Sequence, residues 1–300
     1  MRKIVIAVIV AALLVISGCS LIEGIVGDYN GGVQTDQDGQ GITDGELKVH
    51  FIDVGQGDSI LIQASSQNIL IDGGERCNTV VDYLKDLGID QLDMVIGTHP
   101  HSDHIGGLIN VLQNVKVREV VDPAVVHTSK TFEDYLTLID EKNIKFTEGR
   151  AGMKRNLDNG AVIEILHPSD PSDKHLNDAS IVAKLTFGDI AFMLPGDAQE
   201  ASEKEILARG RDLNSTILKV GHHGSSTSTG DAFLEAISPE VAVIMVGEGN
   251  SYGHPHVETL ERLANARVKV YRTDVHGTII ITTDGQTYDV NVSLDQGRKD

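Results

Sequence analysis

An α/β fold of two sheets packed together with helices outside is what this 300-residue sequence predicts. Short apolar runs punctuated by glycine open the ordered part of the chain. Helical periodicities are interspersed through the middle, and two strand-like runs close it. One domain is the simpler reading, since single α/β domains of about 250 residues are common.

The first 18 residues read as an address. Arg2 and Lys3 form a short positive region, residues 4–16 are almost wholly apolar, and Ser17-Gly18 supplies small residues before a cysteine. The apolar run is short for a membrane span. Ile16-Ser17-Gly18-Cys19 resembles the lipobox of bacterial lipoproteins, which makes Cys19 the expected lipidated residue and places the mature chain outside the cytoplasm on the cell membrane. Residues 19–45, rich in Gly, Asp and Gln, suit a flexible tether. The folded domain is expected over residues 46–295.

Within it, residues 47–53, 59–63 and 68–71 read as strands, separated by the turns Val54-Gly55-Gln56-Gly57-Asp58 and Asp72-Gly73-Gly74. Val80, Tyr83, Leu84 and Leu87 recur at helical spacing and stop at Gly88, and the buried run 94–97 follows. Residues 105–112 and 132–140 read as helices and 116–121 as one strand. Further strands are expected at 162–166, 181–187, 190–194, 216–220, 241–246 and 268–271. Helices near 199–208, 233–237 and 257–264 alternate with them, and 278–282 and 287–292 close the sheet. Thr273-Asp274 and His276-Gly277 read as a turn. No repeat of the solenoid or propeller kind occurs.

The charge restricts partners. Twenty-five basic against 44 acidic residues leave a net charge of −19, which opposes nucleic-acid binding through a broad basic surface. The two cysteines, Cys19 and Cys77, offer no disulfide framework if the first carries lipid. Cys77 reads as a buried or half-buried small residue.

The chemistry is concentrated in Thr98-His99-Pro100-His101-Ser102-Asp103-His104-Ile105-Gly106-Gly107. Neutral imidazole and carboxylate suit zinc and similar divalent ions, and a catalytic site leaves a coordination position open. His99 and His101 are one residue apart, so in the extended segment that Pro100 favours they project the same way and can share an ion. Asp103 and His104 fall where the chain bends into a helix and can turn toward a second. Ser102 or Asp103 can cap that helix, and Gly106-Gly107 lets it pack closely against the sheet.

This pattern after a buried strand resembles the signature of the metallo-β-lactamase superfamily, which implies an αββα sandwich around a one- or two-metal hydrolytic site. Phe51-Ile52-Asp53-Val54-Gly55-Gln56-Gly57-Asp58-Ser59, Leu70-Ile71-Asp72-Gly73-Gly74, Leu194-Pro195-Gly196-Asp197 and Leu218-Lys219-Val220-Gly221-His222-His223-Gly224-Ser225 are more narrowly similar to the extracytoplasmic hydrolase domain of ComEC-type competence proteins and their free-standing relatives. The likeness spans residues 46–292.

The resemblance implies that Asp197 bridges two divalent ions, zinc or alternatively manganese, and that His223 completes the second. It gives His222 and His254 contacts to substrate or a leaving group, and Asp103 a part in orienting metal-bound hydroxide. Many superfamily members carry another metal-binding histidine where this chain has Asn177-Asp178-Ala179-Ser180, so Asn177 and Ser180 are expected to bind substrate or water there. His167 and His175 are alternative ligands. Asp72 is expected to support the metal loop, and Asp53, Gln56 and Asp58 to belong to a turn at the site's border.

The expected activity is phosphodiesterase or nuclease, with a phosphate ester, DNA included, as substrate. A non-catalytic accessory lipoprotein in DNA uptake or cell-envelope metabolism is the competing reading. No protein partner can be inferred.

Overall fold

The computed structural model describes residues 45–172 and 174–294. The expected signal segment, Cys19, the tether up to residue 44 and residue 295 lie outside them. No helix among the described residues is long and apolar enough to cross a membrane.

The chain begins β1 (Leu47–Phe51), β2 (Ile60–Ala64), β3 (Gln67–Ile71), α1 (Thr79–Asp86), β4 (Gln91–Leu92), β5 (Met94–Ile96) and α2 (Ser102–Asn114). It continues with β6 (Lys116–Val117), β7 (Glu119–Asp122), α3 (Lys130–Glu141), β8 (Lys145–Glu148), β9 (Lys154–Asn156), β10 (Val162–His167), β11 (Val182–Phe187) and β12 (Ile190–Leu194). There follow α4 (Glu200–Ala208), β13 (Ile217–Lys219), α5 (Asp231–Ile237), β14 (Val241–Ile244), α6 (Val257–Asn265), β15 (Lys269–Arg272), α7 (Thr273–His276), β16 (Ile279–Thr283) and β17 (Tyr288–Val292).

Two mixed sheets result, ordered β17-β16-β1-β2-β3-β5-β7-β8 and β15-β14-β13-β12-β11-β10-β9. Alternation along the strands explains their layering. Leu47, Val49 and Phe51 of β1, Ile60 and Ile62 of β2, and Ile190, Phe192 and Leu194 of β12 all enter one core between the sheets. The opposite faces are apolar too. Leu61, Leu70 and Val95 pack under α1, α2 and α3, while Met193, Leu218, Ala242 and Ile244 pack under α4, α5 and α6. Helix–sheet–sheet–helix is therefore the arrangement that covers both outer faces, as the sequence predicts.

Several local readings are corrected. The expected strand 116–121 is two: Lys116–Val117 pairs with β4, while Glu119–Asp122 joins the large sheet. Between them Arg118 is turned outward to Asp93. β8 and β9 had no predicted counterpart, because these edge strands are mostly exposed and carry charges at Lys145, Glu148, Lys154 and Arg155, a composition that protects edges but erases the apolar pattern. Residues 273–276, expected as a turn, form a single turn of helix.

Neither Ser102 nor Asp103 caps α2. His101 is the N-cap residue, without a side-chain capping bond, and the Ser102 hydroxyl donates instead to Glu75. The glycine pair packs α2 against the loop after β3, not against the sheet itself. Gly107 N–H donates to the Gly74 carbonyl at 2.8 Å. A Cβ at Gly107 would collide with the Gly73 carbonyl oxygen, and one at Gly106 would lie 2.7 Å from the Arg76 nitrogen. Gly107→Ala is therefore expected to destabilise the fold by roughly 1–3 kcal/mol, read from the urea midpoint, because backbone must move to admit the methyl group; an unchanged midpoint contradicts the close packing.

Candidate active site

The chemistry-bearing residues meet because strand ends meet. β3, β5 and β7 run parallel in one sheet, and β12, β13 and β14 run parallel in the other. Their carboxyl ends deliver Asp72, His99, Asp197 and His222-His223 to one edge of the sandwich, the end at which α/β sheets place their ligands. α2 then contributes Asp103 and His104 from its first turn. Asp72, His222 and His223 all have left-handed backbone, with φ of 57°, 48° and 53°. Such strain in non-glycine residues persists only where surrounding contacts hold it, and it concentrates at functional sites.

Each ring is aimed by what its other nitrogen meets. His99 Nε2 and His101 Nδ1 stand 2.9 Å apart, facing the same point. The Asp72 carboxylate accepts from the Thr98 backbone N–H and hydroxyl at 2.8 and 2.6 Å, and lies 2.7 Å from His104 Nδ1. That contact fixes a tautomer in which Nδ1–H donates to Asp72 and the Nε2 lone pair is turned inward. Asp72 therefore orients a candidate ligand, as the sequence reading holds. His223 repeats the device: its Nδ1 lies 3.0 Å from the Met245 carbonyl, and Nε2 points inward.

Asp197 is the meeting point. Its Oδ2 lies 3.2 Å from His104 Nε2, 3.5 Å from His223 Nε2, 3.7 Å from His222 Nε2 and 3.8 Å from His99 Nε2. Asp103 Oδ2 lies 3.4 Å from His223 Nε2. Asp197 does not cap α4, whose N-cap residue is Gln199. His99, His104 and Asp197 offer atoms all within 4.8 Å of one another, as do Asp103, His104 and His223. Three buried atoms of this cluster make no hydrogen bond among the described residues: His104 Nε2, His223 Nε2 and Asp197 Oδ1. Unpartnered imidazole nitrogens and carboxylate oxygens on one point are the donor set of a borderline-hard divalent ion, so these residues fit one.

Asp58 and Lys219 lie behind this cluster. Lys219 is fully buried. Its ammonium ion-pairs with Asp58 Oδ2, donates to the Gly196 carbonyl at 3.0 Å and stands 3.9 Å from Asp197 Oδ1. Asp58 Oδ1 in turn lies 3.3 Å from His223 Nδ1. The turn residue of the sequence reading is thus a buried carboxylate contacting a candidate ligand, and Lys219 was missed. Its one sequence signal is a lysine in an otherwise apolar strand, Ile217-Leu218-Lys219-Val220.

The balance of charge is severe. Asp58, Asp72, Asp103 and Asp197 face one lysine, so the cluster carries three uncompensated negative charges when its histidines are neutral. Burial pushes the His104 and His223 imidazoles down, but Asp197, aided by Asp72 and Asp58, reverses this and holds both well above their usual value. Burial likewise pushes Asp197 up, and the imidazoles outweigh it, holding the carboxyl well below its usual range. The site demands positive charge.

A pocket of about 350 Å³ opens onto the cluster, lined among others by Gln56, Asn177, His222, Tyr252 and His254. His222 is partly exposed there, with Asn177 Nδ2 3.4 Å from its Nε2. Burial pulls the His254 imidazole down to about 4. Gln56 also accepts from Gly247 N–H at 3.3 Å, bracing the loop that carries His254.

Ser180 does not reach the pocket. It is fully buried; its hydroxyl accepts from Asp197 N–H at 3.3 Å and its carbonyl from His167 Nδ1 at 3.0 Å, so it positions the bridging candidate rather than substrate. His167 is engaged behind the site, and His175 is exposed and outside the cluster. Asp53 accepts from Gly55 N–H within its turn, Cys77 is a half-buried free thiol, and Asp274 pairs with Arg272. His127 and Ser129 were missed on the pocket wall. They come from a loop without periodicity or motif.

Two packed mixed sheets, outer helices and a buried imidazole–carboxylate cluster at the strand ends define a protein of the divalent-metal-binding αββα class. The chain belongs to the metallo-beta-lactamase superfamily, whose family model matches residues 52–248. It is 32% identical over 254 residues to ComE operon protein 3 of Bacillus subtilis, a match covering 78% of this chain and 33% of that protein. It is 28% identical over 244 residues to the competence protein ComA of Neisseria gonorrhoeae, covering 80% and 33%. The chain thus spans about a third of the length of these relatives. Igni18, a metallo hydrolase from the archaeon Ignicoccus hospitalis, superposes with a TM-score of 0.51 at 18% identity, over 78% of this chain and 98% of that one. That likeness is one of fold.

Lys219→Met is expected to cost about 3–5 kcal/mol in urea unfolding, because it strips the buried Asp58 carboxylate of its ammonium partner. The double variant Lys219→Met/Asp58→Asn recovers most of that loss. Equal loss in single and double variants would show that the pair is not the source.

Proposed function

We propose that this chain is an extracytoplasmic, lipid-anchored, metal-dependent hydrolase of phosphate esters, acting as a phosphodiesterase or nuclease. One observation carries the reading: a buried, negatively charged imidazole–carboxylate cluster opens onto a pocket walled by further hydrogen-bonding side chains. The superfamily to which the chain belongs favours the same chemistry. The competence-related names of its relatives put DNA among the substrates to test, although the net charge of −19 opposes a strong electrostatic grip on it.

His99, His101, Asp103, His104, Asp197 and His223 would hold two divalent ions, zinc or manganese. Bound there, the ions supply Lewis acidity and lower the pKa of a water molecule. The remaining work falls to the chain. Asp103, at the cluster's open side, is placed to accept a hydrogen bond from the attacking water and so orient it. His222 and His254 face the same pocket, their rings 5.5 Å apart, and as neutral imidazoles are placed to hydrogen-bond, not protonate, the oxygen of the departing group. Asn177 closes the wall beside His222 with an amide oxygen that has no hydrogen-bond partner among the described residues, a group able to fix substrate or water. Exclusion of solvent comes from the burial of His99, His104, Asp197 and His223.

Metal-reconstituted protein is expected to cleave bis(p-nitrophenyl) phosphate, and to lose that activity in Asp103→Ala/His104→Ala and on chelation. His254→Ala should lower kcat by about 10²- to 10⁴-fold while keeping its metal by elemental analysis. Stoichiometric metal without cleavage of this diester, single-stranded DNA or double-stranded DNA would favour the accessory-protein reading instead. Anchoring is read separately, by mass spectrometry of the mature N-terminus for an acylated Cys19.

A further inference from the structure

We propose that Tyr252 and His254 form a stacking shelf that receives a planar ring, of nucleobase type, attached to the phosphate held at the cluster. The proposal rests on the phosphate-ester reading of the site and names a residue that sets its specificity. Tyr252 is 62% exposed, in a chain with no tryptophan and six tyrosines. Among the described residues, the other exposed large hydrophobics are Val126, Phe146, Val257 and Leu294. Of these five, Tyr252 alone lines the pocket.

The geometry is that of a surface prepared for a ring. The Tyr252 and His254 rings are nearly parallel, with centroids 5.7 Å apart and planes 20° off. His256 meets His254 edge-on at 4.7 Å, and His222 meets it edge-on at 5.5 Å. Offset stacked and edge-on contacts at these separations are the favourable ones between aromatic rings. His254 is thereby held from two sides, and Tyr252 stacks against it with much of its own ring left exposed beside the pocket.

The loop that carries the shelf is braced in advance. Asn250 Oδ1 accepts from Tyr252 N–H and His254 N–H at 3.2 and 3.0 Å, and Asn250 Nδ2 donates to the carbonyls of Gly247 and His254 at 3.0 and 2.6 Å. His256 Nδ1 accepts from Ser226 N–H at 3.0 Å, so its proton lies on Nε2, which donates to the Tyr252 carbonyl at 3.3 Å. A ring landing there pays little ordering entropy. The pocket volume of about 350 Å³ falls in the range of sites for small organic ligands, so it has room for a substituent beside the phosphate. Stacking also suits an acidic protein, since it gains affinity from a π-face without needing basic side chains.

The test is a calorimetric titration of manganese-loaded protein with adenosine 5′-monophosphate, ribose 5-phosphate and methyl phosphate. Adenosine monophosphate is expected to bind about 10-fold or more tighter than ribose 5-phosphate. Tyr252→Phe should keep that preference, and Tyr252→Ala should reduce it to within about twofold while affinity for ribose 5-phosphate stays. Equal binding of the two phosphates by the wild type, no binding of either, or a preference that survives Tyr252→Ala overturns the shelf. Because the readout is binding, it is independent of turnover: a ring preference without ester cleavage would sink the hydrolase reading and leave the shelf standing.

Discussion

One buried carboxylate oxygen, Asp197 Oδ2, stands within 3.8 Å of a nitrogen from each of four histidines. No folded chain holds such a group without compensation, because a desolvated carboxylate costs several kcal/mol unless it is paired. Every neighbouring feature answers that demand. Lys219 places an ammonium on the far side, and His104 and His223 are driven toward their charged forms by the carboxylates around them. Divalent ions answer the same demand with more charge at the same place.

The fold's contribution is to make the demand unavoidable. Parallel strands in both sheets end on the same edge, and the glycines of α2 let its first turn close onto the loop after β3. Asp72 and Thr98 then lock His104, while Met245 locks His223. The left-handed backbone at Asp72, His222 and His223 is held by these contacts, and it aims side chains that an extended strand would send elsewhere. The result is a preorganised set of donors, the arrangement that costs least when an ion or a substrate arrives.

Much of this was legible in the sequence for a local reason. His99, His101, Asp103 and His104 lie within six positions, so their collective chemistry needs no tertiary structure to be seen. Strands such as β1 and β12 could be read because burial on both faces leaves an apolar run. Asp58 and Lys219 were harder, since each makes sense only against a partner far away in the chain, and Asp58 sits in a glycine turn that explains an aspartate by itself. His127, Ser129 and Tyr252 reach the pocket from loops whose meeting place is set by the packing of other elements. Ser180 illustrates the reverse error: a polar residue near a motif was read as facing substrate, whereas it satisfies the Asp197 backbone N–H behind the cluster.

The central claim is that the imidazole–carboxylate cluster around Asp197 is a divalent-metal site, and anomalous diffraction from crystals of the manganese-loaded protein tests it directly. The account predicts metal peaks within the cluster, where His99 and His101 on one side and Asp103, His104 and His223 on the other would hold them beside Asp197. A lone peak away from Asp197, or ordered protein with no peak at these residues, would contradict it.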